Sequence, residues 1–422
     1  MKAEGGRKRK SGGQHQGAAV KKGWQTTQLS AVAAVQSGAG FPDRYQGQSD
    51  GEIPFYKVSD MNIAGNEREM VFENNSITEE TRRELGAFLF PQGSTIFPKI
   101  GGAIATNKKR LTTRDCCVDN NVMGVIPKPG KINSEFLFYF FLAHDLSEFA
   151  NEAHLPSIRK TVVEDWPIIL PVSLADQQRI VGLLDEAFEG LATAKASAEK
   201  NLQNARALFE SHLQSVFTQR GPGWLAKRLE DIADADCSLS YGIVQPGEEF
   251  DEGMPIVRPT DLTSKVIRLT GLKRIDPKLA EGYKRTTLQG GELLLCVRGS
   301  TGVISIASTE LVGANVTRGI VPIRFNRSLL LSEFGFHLLS GGPVQRQIRE
   351  KTYGTALMQI NIRDLRLISL SIPPLNEQRA IAAKLDSLYE ETQRLARLYE
   401  RKLAALEALK KSLLHQAFSG EL

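Results

Sequence analysis

One phrase occurs twice in this chain, and the repetition constrains the fold more than any other feature. LADQQRIVGLLDEAFEG begins at Leu174 and LNEQRAIAAKLDSLYEE begins at Leu375, 201 residues later. Both carry an acid and a glutamine (Asp176-Gln177, Glu377-Gln378), then isoleucine and Leu-Asp at fixed steps (Ile180, Leu184-Asp185; Ile381, Leu385-Asp386). Around this phrase other landmarks recur in one order. Gly23-Trp24 answers Gly223-Trp224, KVSDM from Lys57 answers RPTDL from Arg258, and GSTIFPKIGG from Gly93 answers GELLLCVRGS from Gly291. NNVMGVIP from Asn120 answers NVTRGIVP from Asn315, SEFLFYF from Ser134 answers SEFGFHL from Ser332, and VFTQ from Val216 answers AFSG from Ala417. The offsets stay between 195 and 201, so the chain is a tandem duplication and each half must fold to one plan.

Within each half the pattern changes character once. TIFPKI and ELLLCV are apolar, β-rich and bounded by glycine, which predicts buried strands. EFLFYFFLAHDLSEF is long enough for a helix packed on them, so each globular part is mixed α and β with one core. Pro171, Pro373 and Pro374 close it, because the residue before a proline disfavours helix. Ser173 with Asp176 then resembles a capping box that opens a long helix, and the acid-glutamine pair reads as part of that cap.

From there the apolar spacing is helical. In the second half Ile381, Leu385, Leu388, Thr392, Leu395, Tyr399, Lys402, Leu406, Leu409 and Leu413 alternate steps of four and three, the spacing of a coiled-coil seam. The matching first-half positions are Ile180, Leu184, Ala187, Leu191, Ala194, Ala198, Asn201, Ala205, Leu208 and His212. One seam is rich in leucine and the other in small residues, so each helix is the natural partner of the other. Some 40 residues at about 1.5 Å each make a rod of roughly 60 Å. The expected fold class is α+β: two mixed α/β globes in tandem, each followed by a long helix, with the helices pairing as an antiparallel coiled coil about a pseudo-two-fold axis. The expected boundaries are a disordered basic arm over 1–22, globes over 23–172 and 220–374, and long helices over 173–219 and 375–422.

Composition narrows the function. The chain has 422 residues, 41% apolar and 24% charged, with a net charge of +5, which permits a polyanionic partner. Its four cysteines, two of them adjacent, form no CxxC pair, which favours a reducing, cytoplasmic setting. No run approaches the roughly 20 apolar residues needed to span a bilayer. Neither a phosphate-binding GxxxxGK[ST] loop, nor HExxH, nor GxSxG occurs, and the six histidines show no ligand spacing. No catalytic residue, metal or bound cofactor is expected.

Binding chemistry is better represented. The segment 101–115 gathers Asn107, Lys108, Lys109, Arg110, Thr112 and Arg114, and Lys57 and Lys99 lie in neighbouring motifs. The second half offers Arg258, Arg298, Ser300, Thr301, Asn315, Thr317 and Arg318 at corresponding places. Basic side chains neutralise phosphates, while arginine, asparagine and threonine can also read base edges. Each charged turn taken singly reads as a solvated loop, and Asp60 and Asp261 can simply close turns. Their recurrence in two diverged copies favours two related binding sites.

The two D/E-Q-x-x-I-x-x-x-L-D helix starts, PPLNEQRAI from Pro373, the GELLLCVRGS strand and the closing LLHQAFSGEL from Leu413 carry a resemblance. The chain resembles the specificity subunits of Type I restriction–modification systems over nearly all its length after the arm. The second half follows the family pattern more closely than the first. The resemblance implies two target recognition domains, each reading half of a bipartite double-stranded DNA site. It implies an antiparallel spacer of two helices that also docks DNA methyltransferase subunits, two of them, and leaves room for an ATP-dependent restriction subunit. S-adenosylmethionine and ATP would be bound by those partners. For spacer packing it directs attention to Ile180, Leu184, Leu191, Leu208, Ile381, Leu385, Leu388, Leu395, Leu406 and Leu409. A coiled-coil adaptor that binds proteins, and a stand-alone nuclease or methyltransferase, are the competing readings.

Overall fold

A computed structural model describes residues 21–219, 221–237 and 239–422, so the arm expected over 1–22 falls, through residue 20, outside the described residues. The chain divides into two compact units: residues 1–197 with 402–422, and residues 198–401. Each unit therefore holds one globe, a stretch of the helix that follows it, and a stretch of the other long helix.

The first globe centres on a five-stranded sheet ordered Ala33–Ser37, Val122–Pro127, Thr95–Pro98, Arg110–Thr112, Glu69–Met70. Its pairs are antiparallel except the last, which is parallel. A second sheet sets Ile53–Tyr56 between Ser76–Ile77 and a parallel Cys117–Val118. The second globe repeats the plan. Ile320–Ile323, Leu293–Cys296, Ile304–Ala307 and Val266–Ile267 form one sheet, and Met254–Val257 lies between Lys273–Ile275 and a parallel Asn315–Val316. In both globes a closing antiparallel pair ties the entry strand to the strand before the long helix: Trp24–Gln28 with Pro167–Pro171, and Leu225–Arg228 with Ser369–Ile372.

The apolar run of the first half is a helix, Ser134–Ala143, whose residues Phe136 through Phe141 are all buried. It starts where the Asn133 side chain accepts from the Glu135 and Phe136 N–H groups, and it packs on Phe97, Met123 and Val125 of the sheet. Its counterpart, Ser332–Ser340, buries Phe334 and Leu338 among Leu293, Leu295 and Val321.

The long helices are Leu174–Thr218 and Leu375–Ser419, each 45 residues and so about 67 Å. The Asp176 N–H reaches Ser173 Oγ at 3.4 Å, the cap foreseen for the first. The second stops at Gly420, whose φ of +83° closes the turn so that the Glu421 N–H bonds the Gln416 carbonyl. Both helices end in a phenylalanine that plugs a core. Phe418 sits 5.0 Å from Phe136 in the first unit, and Phe217 sits 5.7 Å from Phe334 in the second.

Within each unit the helix segments run antiparallel. In the first, Phe188 lies under Lys410, and Lys195 pairs with Glu407 at 2.8 Å. In the second, Arg206 pairs with Glu400 at 2.8 Å and Phe209 meets Tyr389 at 5.2 Å. Ile180, Leu184 and Leu385 are fully buried, each worth roughly 2 kcal/mol of transfer free energy, and Leu191, Ile381, Leu388, Leu395 and Leu406 are half-buried.

Four expected seam positions are wrong. Leu208 and Leu409 are 52% and 48% exposed, and Asn201 and Lys402, one heptad earlier on each helix, are exposed as well. Leu202 and Phe209 replace them on one helix and Leu403 on the other. A strict 3.5-residue repeat drifts about 20° per heptad against a straight 3.6-residue helix, so after several heptads the contact line moves over by one residue.

Candidate nucleic-acid interface

The two globes share a backbone clamp that neither strand pattern nor charge had indicated. In the first, a loop over 151–157 returns to the end of the Thr95–Pro98 strand. The Ile158 N–H bonds the Lys99 carbonyl (2.9 Å), the Gly101 N–H bonds the Pro156 carbonyl (2.8 Å), and the Lys99 N–H bonds the Asn121 carbonyl (2.8 Å). In the second, the Ile360 N–H bonds the Val297 carbonyl (3.0 Å), the Gly299 N–H bonds the Met358 carbonyl (2.8 Å), and the Val297 N–H bonds the Gly319 carbonyl (2.8 Å). The turn glycines have φ of +67° (Gly101) and +84° (Gly299), a conformation side chains other than glycine rarely adopt.

Around the second clamp the structure brings together Arg298, Ser300, Thr301, Thr317 and Arg318. Arg298 is half-buried and bridges Gln359 through its backbone, Ser300 is exposed, and Thr301 Oγ1 donates to the Met358 carbonyl at 3.3 Å. Thr317 is half-buried beside Gly319, and Arg318 is exposed and makes no ion pair among the described residues. Arg258 is near, since a Cβ on Gly319 would lie 2.5 Å from Pro259. Its fork, however, is closed on Asp261, through Nε at 3.1 Å and Nη2 at 2.9 Å. Asp261 also accepts the Arg258 N–H, as Asp60 accepts the Lys57 N–H, so these acids do close turns.

The basic run of the first globe is distributed differently from expectation. Lys109, Arg110 and Thr112 are buried in or beside the sheet and are corrected here to structural residues. Lys109 Nζ donates to Asn107 Oδ1 (2.5 Å) and the His144 carbonyl (2.8 Å), and desolvation brings its pKa down to about 8. Arg110 donates to the Lys109 and Met61 carbonyls, and Thr112 bonds Pro91 and Ser94. Asn107, at φ +54°, is occupied by Lys109 and the Leu146 N–H. Asn315 is likewise buried, its side chain tied to Thr286, Tyr283 and Val316. The hydrogen bonds of these buried side chains go to neighbouring protein atoms, which turns them away from a ligand, although Arg110 Nε is buried without a partner among the described residues.

The other candidates remain at or near the surface. Lys57 Nζ reaches Gln46 Oε1 at 2.7 Å, Lys99 Nζ reaches Ser37 Oγ at 3.0 Å, Lys108 bonds Asn62, and the exposed Arg114 pairs with Glu73. Partial burial lowers the Lys99 pKa, with Asp119 opposing.

Two sets of residues that the repeated phrase marks, in a role the sequence did not show, tie each globe to its helix. Gln177 is fully buried: its Oε1 accepts from the Asn133 N–H (2.8 Å) and its Nε2 donates to the Pro171 carbonyl (2.9 Å). Gln378 repeats this with the Leu331 N–H (3.0 Å) and the Leu329 and Pro373 carbonyls (2.8 Å each). These glutamines brace helix to globe rather than cap the helix, and Glu377 accepts the Trp224 indole N–H at 2.8 Å. Two turns later Asp185 bonds Tyr139 and pairs with Arg68 at 2.9 Å, while Asp386 bonds His337 at 2.5 Å and pairs with Lys265. Burial pushes the His337 pKa down although Asp386 pulls it up. Burial alone would raise the Asp386 carboxyl, but Lys265 and His337 together hold it below its usual range.

All four cysteines are buried and free, and burial raises the Cys117 thiol to about 12. Among the described residues no group of three or more His, Cys, Asp or Glu is placed to hold a metal ion, and no helix is long and apolar enough to cross a membrane.

Comparison with known proteins agrees with this duplicated architecture. The family profile described as "Type I restriction modification DNA specificity domain" matches residues 21–201 and again 222–401. The chain is 22% identical over 428 residues to the Type I restriction enzyme EcoBI specificity subunit of Escherichia coli, covering 94% of this chain and 86% of that one. It is 22% identical over 437 residues to the MjaIX specificity subunit of Methanocaldococcus jannaschii, covering 96% and 94%. In fold it is similar to a chain from a structure of type I R-M system assembly and conformational transition (TM-score 0.75, 18% identity, 96% and 100% covered). It is also similar to the HsdS subunit from Thermoanaerobacter tengcongensis (TM-score 0.60, 19% identity, 96% and 98% covered). With one profile matched in each half and the same clamp and brace built twice, the chain belongs to the Type I restriction–modification DNA specificity family.

Proposed function

We propose that this chain is the DNA-recognition subunit of a Type I restriction–modification complex. Each globe (23–172 and 220–374) reads one half of a bipartite site, and the helices (173–219 and 375–422) set the gap between the halves. The single observation that carries this reading is the clamp made twice in the same backbone geometry but lined differently: Lys99 and Asn121 in one copy, Arg298, Ser300 and Arg318 in the other. A constant frame with variable polar lining suits two readers of different sequences.

The chain on its own performs no chemistry in this proposal. Its helices dock DNA methyltransferase subunits, which bind the methyl donor, and an ATP-dependent restriction subunit can join them. Joining two weak readers through a stiff spacer raises affinity by effective concentration, and the spacing of the readers becomes part of the specificity.

Binding of the full chain to a duplex, alone and reconstituted with methyltransferase subunits, tests this by its salt dependence. Neutralising about six phosphates lowers affinity roughly a thousandfold between 50 and 200 mM salt. Flat salt dependence, or no duplex binding in either form, would contradict the reading and favour a protein-binding adaptor.

A further inference from the structure

The clamp places a leucine at the same point of both globes, outside either core. Leu155 is 63% exposed and Leu357 is 45% exposed. Each sits over the turn glycine of its clamp. A Cβ added to Gly101 would lie 3.1 Å from Leu155 Cδ1, and one added to Gly299 would lie 3.8 Å from Leu357 Cδ1. The loops carrying them differ almost completely (NEAHLPS and TYGTALMQ), and so do the residues on the opposing turns.

Exposed leucines are common one at a time and need no explanation. Here the same exposed leucine stands on the same three-bond frame in two copies whose loops have otherwise diverged. Packing does not account for it, since neither side chain belongs to a core cluster of its globe. Basic residues stand near both, although the first loop also carries the exposed Glu152 and the second the exposed Tyr353 and Met358. Arg298 and Arg318 flank the second clamp, and Lys99 and the exposed Arg159 flank the first. The loop over 353–359 carries no charge of its own, so it can enter a groove while the flanking cations meet phosphate.

We infer that Leu155 and Leu357 each make an apolar contact with a base pair of their own half-site, a contact that helps to set the sequence read. This rests on the DNA-reading function proposed above. Leucine offers no hydrogen bond, so it discriminates by apolar complementarity alone. It can pack on a thymine methyl in the major groove or wedge at a base step.

The test is selection from a randomised duplex library by the full chain reconstituted with methyltransferase subunits, using the unaltered chain, Leu155→Ala, Leu357→Ala and Leu357→Met. The unaltered chain is expected to enrich a two-part motif. Leu357→Ala should lose preference at one or two adjacent base pairs of one half, about tenfold per pair, and leave the other half unchanged. Leu155→Ala should do the converse, and Leu357→Met should keep the motif. Melting curves confirm that each variant folds, which exposed positions permit. Replacing thymine by uracil at the affected pair separates the two contacts: loss of enrichment marks the methyl, retention the wedge. An unchanged motif in both alanine variants, or a uniform loss over all sequences, overturns the inference while the DNA reading stands. Failure of the unaltered chain to enrich any motif overturns both.

Discussion

Replacing Gln378 by alanine removes a side chain that bonds the second long helix both to the entry of the core helix, at Leu329 and Leu331, and to Pro373 just after the strand before it. Three hydrogen bonds of 2.8 to 3.0 Å are lost at a site with no solvent exposure. At roughly 1 kcal/mol net for each bond the loss is about 3 kcal/mol. It rises toward about 5 kcal/mol if the Leu329 and Pro373 carbonyls stay buried without donors. Gln378→Glu should be at least as damaging, because an ionised carboxylate accepts but cannot donate and would face those carbonyls. Urea unfolding followed by tryptophan fluorescence reads this directly, since Trp224 belongs to the second unit while Trp24 and Trp166 report on the first. With a slope of roughly 2 kcal/mol per molar urea, the Trp224 transition should move down by about 1.5 to 2.5 M and the other should not. The exposed Gln393→Ala on the same helix is the reference, expected within about 0.5 kcal/mol of the parent. If Gln378→Ala moves the transition no further than Gln393→Ala, the glutamine is not a brace.

His337 is held neutral by burial, so below about pH 6.5 the unfolded chain takes up a proton that the folded second unit resists; its melting temperature should fall between pH 7 and 5. His337→Tyr, copying Tyr139 of the first unit, should flatten that slope, and a parent slope already flat would contradict the assignment. Phe209→Ala should cost the second unit about 2 kcal/mol in urea unfolding, whereas Leu208→Ala should cost less than about 0.5, reversing the order a strict heptad implies. Arg318→Ala should reduce the salt slope of duplex binding by about one if the side chain meets phosphate, and an unchanged slope would remove it from the interface.

The duplication was legible because its landmarks are glycines, prolines and apolar runs, which dictate backbone and burial directly. Strands at Thr95–Pro98 and Leu293–Cys296, and helices opening at Leu174 and Leu375, follow from those residues. The polar braces were not legible. A buried glutamine and an exposed one look alike in sequence, so Gln177 and Gln378 read as caps until their partners, 44 and 47 residues away, were visible. The basic run misleads for the opposite reason: lysine and arginine read as solvated, yet Lys109 and Arg110 are buried and donate to neighbouring carbonyls. Leu155 and Leu357 carry no sequence signal, because an apolar residue in a loop resembles a fragment of core. The seam slipped by one residue because two nearly equal periods cannot be told apart over a few heptads.

The most direct measurement is the gap between half-sites after seven residues are removed from each long helix, 196–202 and 400–406, so that the antiparallel pairing is kept. Seven residues shorten a helix by about 10.5 Å, or about three base pairs at roughly 3.4 Å each. Selection of bound duplexes should return the same two half-sites with a gap shorter by about three base pairs, or lose two-part recognition while each half is still preferred singly. Recovery of the parental gap from the shortened chain would contradict the claim that these helices measure the distance between two DNA readers.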